Sequence, residues 1–152
     1  MTDVFSPEKR SAVMAAIRSE NTKPEIAVRS ALHRLGYRFR LHVNSLPGRP
    51  DILLPRHSIA IQVRGCFWHG HSCADGRLPN SRPEYWLPKL AGNKARDRRN
   101  DRKLRALGWS VIVVWECQTN TGRKLTSTVA RIERLVQRRS EKACVKESPR
   151  SH

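Results

Sequence analysis

Apolar positions along the chain alternate between a helical period and a two-residue period, and the switches mark out its elements. "SPEKRSAVMAAIRS" opens with a cap at Ser6, Pro7 in the first helical position and helix formers after it. A second helix is predicted over "TKPEIAVRSALHRLG", with Ile26, Ala27, Leu32 and Leu35 as its apolar stripe and Gly36 as its stop. "YRFRLHV" alternates like an edge or half-buried strand, and "NSLPGRP" is a turn cluster leading into the short buried strand "DILLP". In "SIAIQVRG" the period of two turns Ile59, Ile61 and Val63 to one face and Ala60, Gln62 and Arg64 to the other. A loop rich in Pro, Asn and Arg precedes a long basic helix, "EYWLPKLAGNKARDRRNDRKLRALG". "WSVIVVWEC" is the nearly continuous apolar run of a central strand covered on both faces. A last helix, "GRKLTSTVARIERLVQRR", leads to "SEKACVKESPRSH", which is expected to be a disordered polar tail.

Strands interleaved with helices, without repeats or a linker, predict one α/β domain with a mixed sheet over residues 1–139 and a tail over 140–152. A length of 152 residues suits one such domain with a modest core. No apolar run approaches the roughly 20 residues of a membrane span. The N-terminus also lacks the apolar core of a signal peptide, so an intracellular protein is expected.

Charge changes the picture most. Lys and Arg number 30 against 13 Asp and Glu, a formal net charge of +17. Solubility needs only a few net charges, so this surplus points to a polyanion, with nucleic acid first. Seven of the basic residues fall between Lys94 and Arg105, where phosphate contacts would position the protein without reading sequence. Asp97 and Asp101 interrupt that run four residues apart, and are expected to pair with its arginines rather than bind metal.

Candidate chemistry is concentrated in "RGCFWHGHSC". In a reducing compartment, clustered cysteines are metal ligands more often than disulfides. Structural zinc takes four thiolate or imidazole ligands, and Cys66, His71 and Cys73 supply three. The fourth is Cys117, at the end of "VIVVWEC", or His69, and spacing leaves both sets open; Cys144, in the tail, is a poor candidate. A second constellation starts at Pro50-Asp51, with Gln62 and Arg64 two apart on the next strand. This is the outline of a PD-(D/E)XK nuclease, in which a carboxylate holds Mg²⁺, although Pro-Asp also begins ordinary turns. Thr22 and Glu25 form a capping box, which by itself accounts for Glu25.

Taken together, "NTKPEIAVRSALHRLGYRFRLH", "LPGRPD", "GCFWHGHSC", "RPEYWLPKLAGNKARDRRN" and "LGWSVIVVWEC" resemble the very short patch repair endonucleases of bacteria, from about residue 8 to residue 138. The resemblance implies a restriction-endonuclease-like domain, structural Zn²⁺ and Mg²⁺-dependent nicking on the 5′ side of the T in a G:T mismatch. It implies zinc at Cys66, His71, Cys73 and Cys117, and Mg²⁺ at Asp51 and the Val63 backbone carbonyl. His69 would then activate water, supported by Glu25. Phe67, Trp68 and Trp86 would form a wedge between base pairs, with Met14 entering the other groove from an N-terminal arm at residues 1–20. Core packing is the plain alternative for these four, and it is weakest for two successive aromatics in a ligand loop.

The partners so implied are mismatched double-stranded DNA, a companion cytosine-5 methyltransferase and mismatch repair proteins. The setting would be a cytoplasmic, nucleoid-associated monomer with no membrane. The sequence departs from the family at Gln62-Val63-Arg64, where many members carry an aromatic residue, Thr or Val, and a histidine. Gln62 could offer a neutral oxygen to a metal or its water, and Arg64 could contact phosphate but not act as a base. That departure keeps two alternatives open: a related nuclease with relaxed mismatch or structure specificity, and an inactive zinc-stabilised mismatch binder.

Overall fold

The computed structural model describes residues 21–76 and 82–147. The predicted first helix, the N-terminal arm and Met14 lie outside the described residues.

Helix α1 (Lys23–Arg34) is capped by Thr22, whose hydroxyl accepts from the Glu25 N–H at 3.4 Å. Its buried face differs from the predicted stripe. Val28 and Leu32 face the core together with Glu25, whereas Ile26 and Leu35 stand 41% and 51% exposed. An acidic residue sits on the inward face because a partner waits for it there, so hydrophobicity alone misplaces the stripe.

Strands β1 (Arg40–Leu41), β2 (Ile52–Leu54) and β3 (Ile59–Arg64) form an antiparallel meander. Helix α2 (Pro83–Ala106) then crosses over to β4 (Ser110–Trp115), which lies parallel to β3. The sheet order is β1-β2-β3-β4, so the result is a mixed four-stranded sheet in an α/β domain. Among the described residues β4 is an edge strand, not the central one its apolar run suggested. Helices covering both faces account for that run, and they require no neighbour on each side. The strands buried throughout or almost throughout are β2 and β3.

Two cores follow from the alternation along β3. Ile59, Ile61 and Val63 face a layer made by α1 and the final helix, α3 (Gly122–Glu147), with Val28, Leu32, Val129, Ile132 and Val136. Ala60 faces the opposite layer, where Leu104 of α2 meets Leu53, Trp109 and Val111. Helix α3 continues to Glu147, into the segment expected to be a tail. "SEKACVKE" is polar but made largely of helix formers, and polarity marks missing core contacts rather than missing helix propensity. Among the described residues no helix is long and apolar enough to cross a membrane.

Helix α2 is sorted by charge. All seven basic side chains from Lys94 to Arg105 are exposed, while Leu90, Asp101 and Leu104 are buried and Asn93 and Asp97 half-buried. One face is therefore a cationic ridge, and the other carries two carboxylates toward β3.

Candidate active site and metal centre

Asp51 immediately precedes β2, and its Oδ2 accepts from the Val63 N–H at 2.8 Å, tying it to β3. Burial raises its carboxyl to about pH 6; the Val63 hydrogen bond opposes the shift and the nearby Glu25 charge adds to it. Glu25, 2% exposed, reaches the same place from α1. Its carboxylate is directed away from the helix cap: Oε1 meets His42 Nε2 at 2.5 Å and Arg29 Nη1 at 3.6 Å. The ligating atoms of Glu25, His42 and Asp51 all lie within 4.8 Å of one another.

His69 and His71, two residues apart, go separate ways because Gly70 takes the left-handed φ of +64° between them. A side chain at position 70 would also run into Lys94. His69 Nδ1 meets Asp97 Oδ2 at 2.6 Å, which leaves Nε2 as the nitrogen open to other work. Asp51, Val63, His69 and Asp97 line one cleft between β3 and α2.

Gln62 and Arg64 line the same cleft, although both are largely buried and each holds a hydrogen-bond partner. Gln62, 7% exposed, donates from Nε2 to the Gly48 carbonyl at 3.3 Å. Arg64, 8% exposed, donates from Nη2 to both oxygens of Asp101 at 2.8 and 2.9 Å, and its Nε stands 3.7 Å from Asp97 Oδ2. The expected pairing of Asp97 and Asp101 with arginines of their own helix is thus corrected: their partners are Arg64 and His69. Arg64 thus holds two carboxylates of α2 while it lines the cleft beside Asp51 and His69. Removing one partner of a buried pair leaves an uncompensated charge. Asp101→Ala is therefore expected to cost about 3–5 kcal/mol in urea unfolding. A loss below about 1 kcal/mol would mean that Asp97 alone suffices to hold Arg64.

The second cluster closes the loop that follows β3. Ligating atoms of Cys66, His71, Cys73 and Cys117 all lie within 4.8 Å of one another, while His69 points elsewhere. Cys117 Sγ stands 3.6 Å from His71 Nδ1. Tetrahedral bonds of about 2.0–2.3 Å to one zinc ion would set such atoms roughly 3.5–3.8 Å apart. Three thiols and an imidazole are also a donor set of the right softness, so these residues fit a zinc-type ion. The His71 ring is stacked on Trp115 at 4.2 Å and 17°, which fixes its orientation.

Beside this cluster Phe67 and Trp68 pack edge-on against Trp86 of α2, with centroids 5.0 and 6.0 Å away. All three are half-buried and belong to neither core. Asn93 donates to the Trp68 carbonyl at 2.9 Å, and the Lys89 ammonium lies 5.5 Å from the Trp68 ring centre.

Sequence reasoning missed two members of this region. Pairing Leu41 with Ile52 sets His42 opposite Asp51, and a tight turn at "LPGRP" was the signal that could have shown it. Asp97 was read as a partner for its own helix, although its spacing of four from Asn93 and Asp101 places all three on one face.

Comparisons agree with one another. The family described as DNA mismatch endonuclease Vsr matches residues 2–75. The type II nicking enzyme V.XorIIP of Xanthomonas oryzae is 56% identical over 118 residues, covering 78% of this chain and 87% of its own length. V.NmeAIP of Neisseria meningitidis is 45% identical over 78% of this chain and 84% of its own length. The DNA mismatch endonuclease Vsr of Escherichia coli is 40% identical over 144 residues, 95% of this chain and 89% of its own length.

Proposed function

We propose, because the chain belongs to the Vsr family of DNA mismatch endonucleases, that it nicks duplex DNA on the 5′ side of the T in a G:T mismatch. In this reading Mg²⁺ is held at Asp51 and the Val63 carbonyl, and zinc at Cys66, His71, Cys73 and Cys117. The observation that carries it is the shared cleft of Asp51 and the His69–Asp97 pair, one side able to hold a hard cation and the other a proton acceptor.

Bound Mg²⁺ would neutralise charge on the scissile phosphate. The Nε2 of His69 takes the proton of the attacking water, while Asp97 holds Nδ1 and stabilises the imidazolium that forms. Glu25 supports that step as the buried acid of the pocket. Arg64 acts at one remove, by fixing Asp97 and Asp101 to β3.

Phe67, Trp68 and Trp86 are read as the wedge, joined from the other groove by Met14. Unstacking costs a few kcal/mol per base step and least where pairing is already imperfect, which favours a mismatch. Aromatics already packed on one another lose little further side-chain entropy on insertion. The exposed ridge of α2 follows the phosphates. An antiparallel meander that crosses through a helix to a parallel strand supports a restriction-endonuclease-like fold for this single domain. G:T mismatches arise when 5-methylcytosine deaminates, so a cytosine-5 methyltransferase is the companion enzyme. Action as a monomer on the cytoplasmic nucleoid, alongside mismatch repair proteins, completes the proposal.

The test is nicking of matched duplexes and duplexes with each mismatch, labelled at either end, with and without Mg²⁺. One Mg²⁺-dependent nick immediately 5′ of the mismatched T is expected. Cuts spread over several mismatches would indicate a relaxed nuclease, and binding without cutting an inactive binder.

A further inference from the structure

His42 has no part in the chemistry described above, yet its imidazole lies beside the carboxylates of Glu25 and Asp51. Its N–H donates to the Asp51 carbonyl at 3.2 Å, directly beyond the last paired residues of β1 and β2. Its φ of +48° lies in the left-handed region, which residues other than glycine seldom adopt. That conformation ends the strand and turns the imidazole inward, where the side chain is only 13% exposed and Nε2 faces Glu25.

Two carboxylates and an imidazole nitrogen, all within 4.8 Å of one another, are near enough to share one ion once the 2.5 Å contact between Glu25 Oε1 and His42 Nε2 opens to admit it. Bonds of about 2.1 Å put neighbouring donors of an octahedral ion roughly 3 Å apart and opposite ones roughly 4.2 Å apart. Glu25 and Asp51 face each other in a buried place, a repulsion that a divalent cation would remove.

We propose that His42 is a nitrogen ligand of this metal pocket, which makes the site select Mn²⁺ over Mg²⁺; the inference rests on the reading of Asp51 as the metal-holding carboxylate. The selectivity follows from ligand chemistry. Mg²⁺ prefers oxygen donors and keeps its waters, whereas first-row transition ions accept imidazole readily. A purely positioning role, in which His42 only holds Glu25 in place, would weaken both cations alike.

Binding of Mn²⁺ and of Mg²⁺ is measured by calorimetry on the zinc-loaded full chain, with free Mn²⁺ followed by electron paramagnetic resonance. The wild type is expected to bind one Mn²⁺ at least tenfold more tightly than Mg²⁺. His42→Gln, which keeps a donor for Glu25, should lose about tenfold in Mn²⁺ affinity and less than twofold in Mg²⁺ affinity. Should it fail to fold, His42→Asn repeats the test with a side chain that tolerates the left-handed backbone. Equal losses for both cations, or none for either, would overturn the proposal. Asp51→Asn tests the underlying reading on its own, and should lose both cations; if it keeps both, that reading and this inference fall together. If Asp51→Asn loses both while His42→Gln loses neither, only the assignment of His42 fails.

Discussion

Asp51→Asn is expected to lower Mg²⁺-dependent nicking about 10³-fold while leaving mismatch binding at least as tight as in the wild type. Charge stabilisation by a bound cation is worth several kcal/mol, and each 1.4 kcal/mol is a tenfold change in rate. Asn keeps an oxygen to accept the Val63 N–H, so the local geometry survives, and removing a negative charge beside the phosphate cannot weaken its approach. The same variant should be more stable than the wild type when no Mg²⁺ is added. The carboxyl of Asp51 stands at 3.8 when unfolded and about 6 when folded, so the unfolded chain gives up its proton first as pH rises. Wild-type stability therefore falls across that window, by roughly 3 kcal/mol at pH 7. The neutral amide carries no such cost, and its advantage should shrink to about half by pH 5. Urea unfolding at pH 5 and pH 7 reads this directly. Nicking within tenfold of the wild type would remove Asp51 from the site, and an advantage that grows toward pH 5 would reverse the assigned cause.

Parts of the site were legible in the sequence where their signals are local, and others were not. Asp51 was visible because Pro50-Asp51 begins a strand, and Cys66, His71 and Cys73 because soft donors crowd one short loop, with Cys117 and His69 left as rivals for the fourth place. Both signals are local. His42 and Asp97 were hidden because their roles depend on register and helix face, which only the assembled sheet and α2 supply. Glu25 shows the limit most clearly. Only half of its capping box forms: Thr22 accepts its N–H, but the carboxylate turns to His42. The fold followed the same division. Periodicity found every strand that the structure describes. It could not tell that β4 lies at an edge, because the apolar run records cover by helices and is blind to neighbours in the plane. Alternation drew attention to Gln62 and Arg64, which do line the Asp51 cleft, but it could not show that they bond to the Gly48 carbonyl and to Asp101.

Cys117→Ser should produce the largest loss of structure, because its thiolate is the one member of the soft cluster that comes from a distant strand. Cys66 follows β3 directly and Cys117 follows β4, so an ion shared between them staples the ends of two parallel strands. The same ion would anchor the loop that carries Phe67, Trp68 and His69. Structural zinc in small domains contributes apparent binding free energies of about 10–16 kcal/mol at pH 7, most of it as folding energy. Two hydrophobic cores are built from residues outside the cluster, so the variant is expected to lose zinc and several kcal/mol rather than to unfold outright. Nicking should fall with it, since a loosened loop no longer holds His69 against Asp97. Burial pushes the Cys66 thiol up to about 12 in the metal-free chain, so zinc must displace a proton and its affinity should drop as the solution is acidified. Zinc content and thermal unfolding, measured together, separate the two ligand sets. His69→Ala should keep one zinc per chain and its melting temperature while losing nicking, and Cys144→Ser should change neither zinc content nor melting. If His69→Ala released the metal and Cys117→Ser retained it, the imidazole of His69 would be the fourth ligand, and the proton acceptor would have to be sought elsewhere in the cleft.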